Sequence, residues 1–296
     1  MNTNAATRRN FLATGAAVAV PLAARSAGSK PGAAPRAGLL AGKRAVIYGA
    51  AGAMGSAVAR AFAHEGAQLF LAGRTLERVQ AIATELTQSG ASATASGFDA
   101  LDRAAVEKHL DEVVRTAGGI DVSFNLIGLG GDQGQPLTAM SHEAFAVTID
   151  NAMRTHFLTA TAAARRMKGP GVILALTAQV ARKPYVGSGG FGVACAAIEG
   201  LWRQLAIELG PAGIRLVTLR SSGSPDAPGV AAAITEHAKA AGVTLEAFEA
   251  RIAEKTMLKH MPKMAQIASA AVLAASDYSS SMTAAVLNCT CGEIAD

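Results

Sequence analysis

The 296-residue chain is half apolar and 17% charged, enough to build one large α/β domain or two small ones. It carries 27 Lys and Arg against 22 Asp and Glu, but Arg8, Arg9, Arg25, Lys30 and Arg36 fall in the first 40 residues, where no acid occurs. The rest is balanced, so the net charge of +5 belongs to the leader and gives no reason to expect nucleic acid as a partner. Thr7 to Leu12 form a twin-arginine pattern, and Phe11 to Ala24 are mildly apolar with small residues that a signal peptidase could cut. This predicts export of a folded protein to the periplasm or beyond, and a cytoplasmic chain if the leader does not function. The stretch is too short and too rich in Ala and Gly to predict a stable membrane span. Residues 26–38 are rich in Pro, Gly and Ala and read as a linker, so 1–38 form a signal and linker and 39–296 one domain.

From there short apolar runs alternate with Ala-rich helical patterns. Ala45 to Tyr48 predict a strand, followed by Gly49, Gly52, Met54 and Gly55 in a turn and by a helix over Ser56–Glu65. A glycine turn between strand and helix lets the backbone approach a dinucleotide pyrophosphate, and the helix start supplies unpaired N–H groups. Strand Gln68–Ala72 leads through Gly73-Arg74 into helix Thr75–Gln88. Strand Ala91–Phe98 is followed by Asp99, then by helix Asp102–Ala117. Strand Ile120–Ile127 opens a glycine-rich loop that begins at Gly128. Helix His142–Met167, strand Gly171–Thr177, helix Gly190–Leu209 and strand Ile214–Leu219 come next. Helical patterns over 229–255 and 264–276 and a strand over Ala284–Asn288 complete the series. Such alternation predicts a single doubly wound Rossmann-type α/β domain with a parallel sheet of about seven strands. In the region 221–264, after the sixth strand, Met257, Met261 and Met264 suggest either an apolar lid or simple helix packing.

The landmarks over residues 40–296 resemble the short-chain dehydrogenase/reductase family. These are the glycine turn with Gly49, Gly52 and Gly55, Asp99 after the third strand, Asn125 and Gly128 at the ends of an altered Asn-Asn-Ala-Gly run, and Gly213-Ile-Arg-Leu216. The resemblance implies that Gly49, Gly52, Met54, Gly55, Arg74, Asp99, Asn125 and Gly128 hold a nicotinamide dinucleotide. No acid follows the second strand, whereas Arg74 can pair with a 2′-phosphate, which favours NADP over NAD. It also implies a small-molecule carbonyl or alcohol substrate, and a homodimer or homotetramer built through the helices near 142–167 and 190–209.

The family's catalytic set is a serine, then a tyrosine thirteen residues on and a lysine four further. The register set by Ala196–Leu201 and Leu205–Leu209 places Ala178, Phe191 and Cys195 there. Phenylalanine has no proton to give, and removing general acid catalysis costs roughly 10²–10⁴-fold. Tyr185, Thr177 and Gln179 are the nearest candidate substitutes, with Lys183 as a source of charge. Asn151 lies near the family's catalytic asparagine, although Ala152 fits the register better. Cys195, Cys289 and Cys291 have no zinc-type spacing with histidine, and no metal is expected. His64, His109 and His237 read as helix-surface residues, and His156 as structural. Two functions stay open: an NAD(P)-dependent oxidoreductase with a non-standard proton donor, or a non-catalytic nucleotide-binding or assembly protein on the same scaffold.

Overall fold

A computed structural model describes residues 37–296, so the twin-arginine pattern and its apolar stretch lie outside the described residues, as does the side chain of His237. Seven parallel strands form one sheet in the order β3-β2-β1-β4-β5-β6-β7. They are β1 (Arg44–Tyr48), β2 (Gln68–Gly73), β3 (Ala93–Gly97), β4 (Val122–Asn125), β5 (Gly171–Ala178), β6 (Ile214–Ser221) and β7 (Ala285–Cys289). The helices are α1 (Ala53–His64), α2 (Leu76–Gln88), α3 (Arg103–Ala117), α4 (His142–Ala164), α5 (Gly189–Leu209), α6 (Pro228–Ala240), α7 (Leu245–Glu254) and α8 (Met264–Ala275).

Strand alternation divides the apolar residues between two cores. Ala45, Ile47, Leu69, Leu71, Leu174 and Leu219 face α1, α2 and α8 through Val58, Phe62, Val79 and Ile267. Val46, Tyr48, Phe70, Ile173 and Leu216 face α3, α4 and α5 through Leu110, Ala163, Ile198 and Trp202. The strand order reverses between β1, whose Tyr48 pairs with both Ala72 and Asn125, and β4. In a doubly wound sheet that reversal opens a crevice beyond the carboxyl ends of the strands.

The element boundaries differ from the sequence reading where side chains make local bonds. β4 stops at Asn125 because its Oδ1 accepts from the Ile127 N–H at 3.0 Å and turns the chain. α3 starts after Asp102, whose carboxylate accepts from the Ala104 and Ala105 N–H groups. α1 starts three residues earlier than expected, at Ala53, and ends at His64. β6 runs two residues further than expected and takes in Arg220. His109 is not a surface residue: its ring is buried against Phe98 and Tyr48, with centroids 5.0 and 6.3 Å away. The apolar positions Val106, Leu110 and Val113 turn that face of α3 onto the sheet and carry His109 in with them. No helix among the described residues is long and apolar enough to cross a membrane.

Candidate active site

The glycine turn lies at the strand-order reversal. Gly49 has φ +71°, and a Cβ there would sit 2.5 Å from the Leu126 carbonyl oxygen, so no side chain fits between β1 and β4. A Cβ on Gly55 would meet the Gly49 oxygen at 2.2 Å, which is what lets α1 begin directly against the turn. Gly52 caps α1, and no side chain bonds the first N–H groups of the helix. Those N–H groups and the positive end of the helix dipole face the crevice, an arrangement suited to an anion.

The crevice has a volume of about 440 Å³. Gly49 and Gly52 form its floor, Arg74, Thr75 and Arg78 one rim, and Asp99 and Ala100 the adjoining wall. Gly128 and its glycine-rich loop close another side, with Asn151 and Thr155 of α4 behind them. Asp99 also fixes its own loop, since Oδ1 accepts from the Leu101 N–H at 2.9 Å. Met54, Gly55 and Asn125, also expected at the cofactor, are not among the residues lining the crevice. Gly55 provides the close approach of α1, Met54 packs against the α1 core, and Asn125 is buried with Nδ2 donating to Thr159 Oγ1 at 3.2 Å.

The catalytic positions fall on β5, the loop after it, and α5. Phe191, Cys195 and Glu199 recur every four residues along one side of α5. Cys195 is fully buried, and burial pushes its thiol up to about 11, so it is a protonated packing group at neutral pH. Ala178 ends β5 and brings no polar side-chain atom. Thr177 is buried, and its hydroxyl donates to Glu199 Oε1 at 3.0 Å. Gln179 opens a short turn, with its backbone carbonyl accepting from the Arg182 and Lys183 N–H groups. Tyr185 is 41% exposed, and its hydroxyl donates to Gln133 Oε1 at 3.3 Å. Partial burial holds that phenol above its ordinary range, and the Gly134 N–H, bonded to the Gly187 carbonyl at 2.8 Å, ties the two loops together. Lys183 Nζ lies 3.5 Å from Glu293 Oε1. Among the described residues lining the crevice, Asn151 is present, whereas Thr177, Ala178, Gln179, Tyr185, Phe191 and Cys195 are not. His156 is turned into the core, with Nδ1 donating to the Ala152 carbonyl at 2.8 Å and its ring edge-on to Trp202. Burial lowers its pKa to about 4, so it is neutral at pH 7.

Glu199 and Arg220 form a group that sequence reasoning misses. Arg220 is 2% exposed and Glu199 4%. Arg220 Nε donates to Glu199 Oε1 at 2.8 Å and Nη2 to Oε2 at 2.7 Å, a bidentate pair. An arginine directly after the apolar run Ile214–Leu219 is the available signal, because a strand can bury a guanidinium only against a carboxylate. Arg78 is a second omission; it follows Arg74 by four residues and shares the rim with it. No group of three or more His, Cys, Asp or Glu among the described residues could hold a metal ion.

The β1–β2 end of the site thus combines a glycine turn, an uncapped helix start and two arginines, and Ala178, Phe191 and Cys195 stand at its β5–α5 end. Residues 49–293 match the model of a family described as "Enoyl-(Acyl carrier protein) reductase". An uncharacterised oxidoreductase of Bacillus subtilis, UxuB, is 37% identical over 99 residues, covering 33% of this chain and 35% of the relative, so the chain spans about a third of that relative's length. L-rhamnose 1-dehydrogenase (NAD(P)(+)) of Azotobacter vinelandii is 30% identical over 60% of this chain and 71% of its own. A crystal structure of a short-chain type dehydrogenase/reductase from Mycobacterium marinum superposes with a TM-score of 0.72 at 27% identity, over 87% of this chain and 97% of that one. With the reversed-order parallel sheet, the glycine turn at its switch point and these matches, the chain belongs to the short-chain dehydrogenase/reductase family.

Proposed function

We propose that the protein is an NADP-dependent oxidoreductase acting on a small carbonyl or alcohol, with proton transfer carried by a group other than the family's tyrosine. The observation that supports this most directly is the crevice: a glycine cradle that no Cβ could share, an uncapped helix start above it, and Arg74 and Arg78 together on the rim. Two arginines where a ribose 2′-oxygen would lie suit a phosphate rather than a hydroxyl pair. The name of the Azotobacter relative allows either dinucleotide, so the choice rests on these arginines. When bound, the cofactor would supply or accept a hydride. The chain would hold its phosphates at Gly49–Gly52 and the start of α1, its adenosine end between Arg74, Arg78 and Asp99, and its middle along Gly128 and Asn151.

Asn151 lines the crevice, and Tyr185 carries a phenol on the loop after β5. The Tyr185 hydroxyl is bonded to Gln133 across two glycine-rich loops, so that bond must open before the phenol can donate to a substrate oxygen. A second reading, a non-catalytic nucleotide-binding protein, is favoured by one observation: the Thr177 hydroxyl and the Glu199 carboxylate are committed to each other and to Arg220. Mass spectrometry and absorbance of gently purified protein, followed by a carbonyl panel with NADPH, separate the two. Bound or added nucleotide that is turned over supports the oxidoreductase, bound nucleotide without turnover supports the second reading, and no affinity for either dinucleotide refutes both.

A further inference from the structure

Arg220 holds more carboxylate than its charge requires. Glu199 alone matches it, charge for charge, through the bidentate pair on Nε and Nη2. Its third nitrogen, Nη1, points the other way and donates to Asp296 Oδ1. Asp296 is 37% exposed, so this second carboxylate sits at the solvent edge, while the Arg220–Glu199 pair beneath is nearly sealed. Beside that edge stands Arg182, with Nη1 4.0 Å from Asp296 Oδ1, while Lys183 and the Ser222 hydroxyl both engage the carboxylate of Glu293, three residues back along the chain from Asp296. A guanidinium whose inner edge is fixed and neutralised, and whose outer edge is presented to an exchangeable carboxylate, is prepared for carboxylate recognition.

The position is as telling as the chemistry. Arg220 is paired in register with Thr177, one residue before Ala178, and Glu199 stands one helical turn beyond Cys195. Arg220 therefore stands beside the end of β5 that carries Ala178 and, through Glu199, against the side of α5 that carries Cys195. We propose that Arg220, with Arg182, forms a binding site for the carboxylate of a small-molecule substrate, and that Asp296 fills it in cis. The word substrate rests on the oxidoreductase reading; the carboxylate site does not. A ligand must displace a side chain that is always at hand, at an effective concentration on the order of millimolar, so Asp296 sets a threshold for entry.

Acetate is the probe, compared with chloride at equal ionic strength. The readouts are thermal unfolding and the fluorescence of Trp202, the single tryptophan, which is buried on α5 three residues beyond Glu199. Asp296→Ala in the full-length chain should bind acetate at least about tenfold more tightly than wild type, because the internal competitor is gone. If the alanine variant does not fold, Asp296→Asn keeps the shape and removes the charge. Adding Arg182→Ala should reverse the gain. The same response to acetate in wild type and variant, or a lowered Tm in the variant that acetate does not restore more than chloride, overturns the proposal and leaves Asp296 an anchor of its segment. NADP binding, measured on the same samples, reports separately on the proposed function, since acetate binding can succeed or fail without it.

Discussion

Glu199→Gln tests whether the buried pair holds α5 against β6. The substitution keeps the volume and removes the charge, leaving a guanidinium that is 2% exposed with a single amide oxygen where it had a bidentate carboxylate. Breaking a buried ion pair by removing one partner costs about 3–5 kcal/mol, because the other charge stays buried and uncompensated. The Thr177 hydroxyl can keep an oxygen acceptor, and Asp296 still holds Nη1, so the lower end of that range applies. For a domain of this size about 1 kcal/mol moves Tm by roughly 2–4 °C, so about 3 kcal/mol corresponds to a fall of about 6–12 °C. Circular dichroism melts at pH 7 would measure it. The control is the paired change Glu199→Leu with Arg220→Met, which removes both charges and should recover most of the loss, as apolar replacements of buried pairs do. A fall of less than about 2 °C in the single variant, or a pair no more stable than the single, would refute the reasoning and show the charges to be hydrated.

Two further outcomes can be measured on the same protein. His109 and His156 both have folded pKa values lowered by burial from 6.5 to about 4. The unfolded chain therefore binds protons first as pH falls, and stability is lost between about pH 6.5 and pH 4, by up to about 3 kcal/mol for each histidine. Melts taken across that window should flatten when His109 is replaced by Gln, and an unchanged pH slope would mean that the ring is solvated in the folded state. Arg74→Ala with Arg78→Ala should weaken NADP binding by about tenfold or more, at roughly 1.5–3 kcal/mol per charged hydrogen bond, and leave NAD binding nearly unchanged. Calorimetry with both dinucleotides decides it, and equal losses for the two would place the arginines away from the 2′-phosphate.

Much of the fold is legible in the sequence because its signals are local. The strand–glycine turn–helix at 45–65, the alternation of short apolar runs with Ala-rich helices, and the position of Arg74 each depend on residues close in sequence. What stays hidden depends on partners distant in sequence. Arg220 and Glu199 are 21 residues apart, and Asp296 a further 76 from Arg220, so nothing local announces that they meet. His109 reads as a surface residue because a histidine on a charged helix usually is one; only the packing of α3 against the sheet, with Tyr48 and Phe98 around the ring, puts it inside. Asn125 and Gly55 read as cofactor contacts, and the structure adds a second task for each, a bond to Thr159 and the close approach of α1 to Gly49, which spacing alone does not carry.

The buried Glu199–Arg220 pair bears on whether the family's catalytic set could act at positions 178, 191 and 195. Ala178→Ser, Phe191→Tyr and Cys195→Lys would rewrite the three altered positions. Position 195 is fully buried, however, and a lysine there needs a counter-charge to stay protonated. Its nearest carboxylate along the helix, Glu199 at i+4, already has both oxygens bound by Arg220. The new amine would be driven neutral, and a neutral amine cannot lower the pKa of the phenol introduced at position 191. Removing the competitor as well, with Arg220→Ala, frees Glu199 to hold the ammonium. The fourfold variant should therefore reduce small aldehydes with NADPH at a kcat/KM at least about tenfold above the threefold one, the lower end of what general acid catalysis is worth near 10²-fold being set back by imperfect geometry. Its rate should rise with pH in the oxidation direction as the phenol ionises, whereas equal rates in the two variants would show that Glu199 need not be freed from Arg220 for a lysine at position 195 to act.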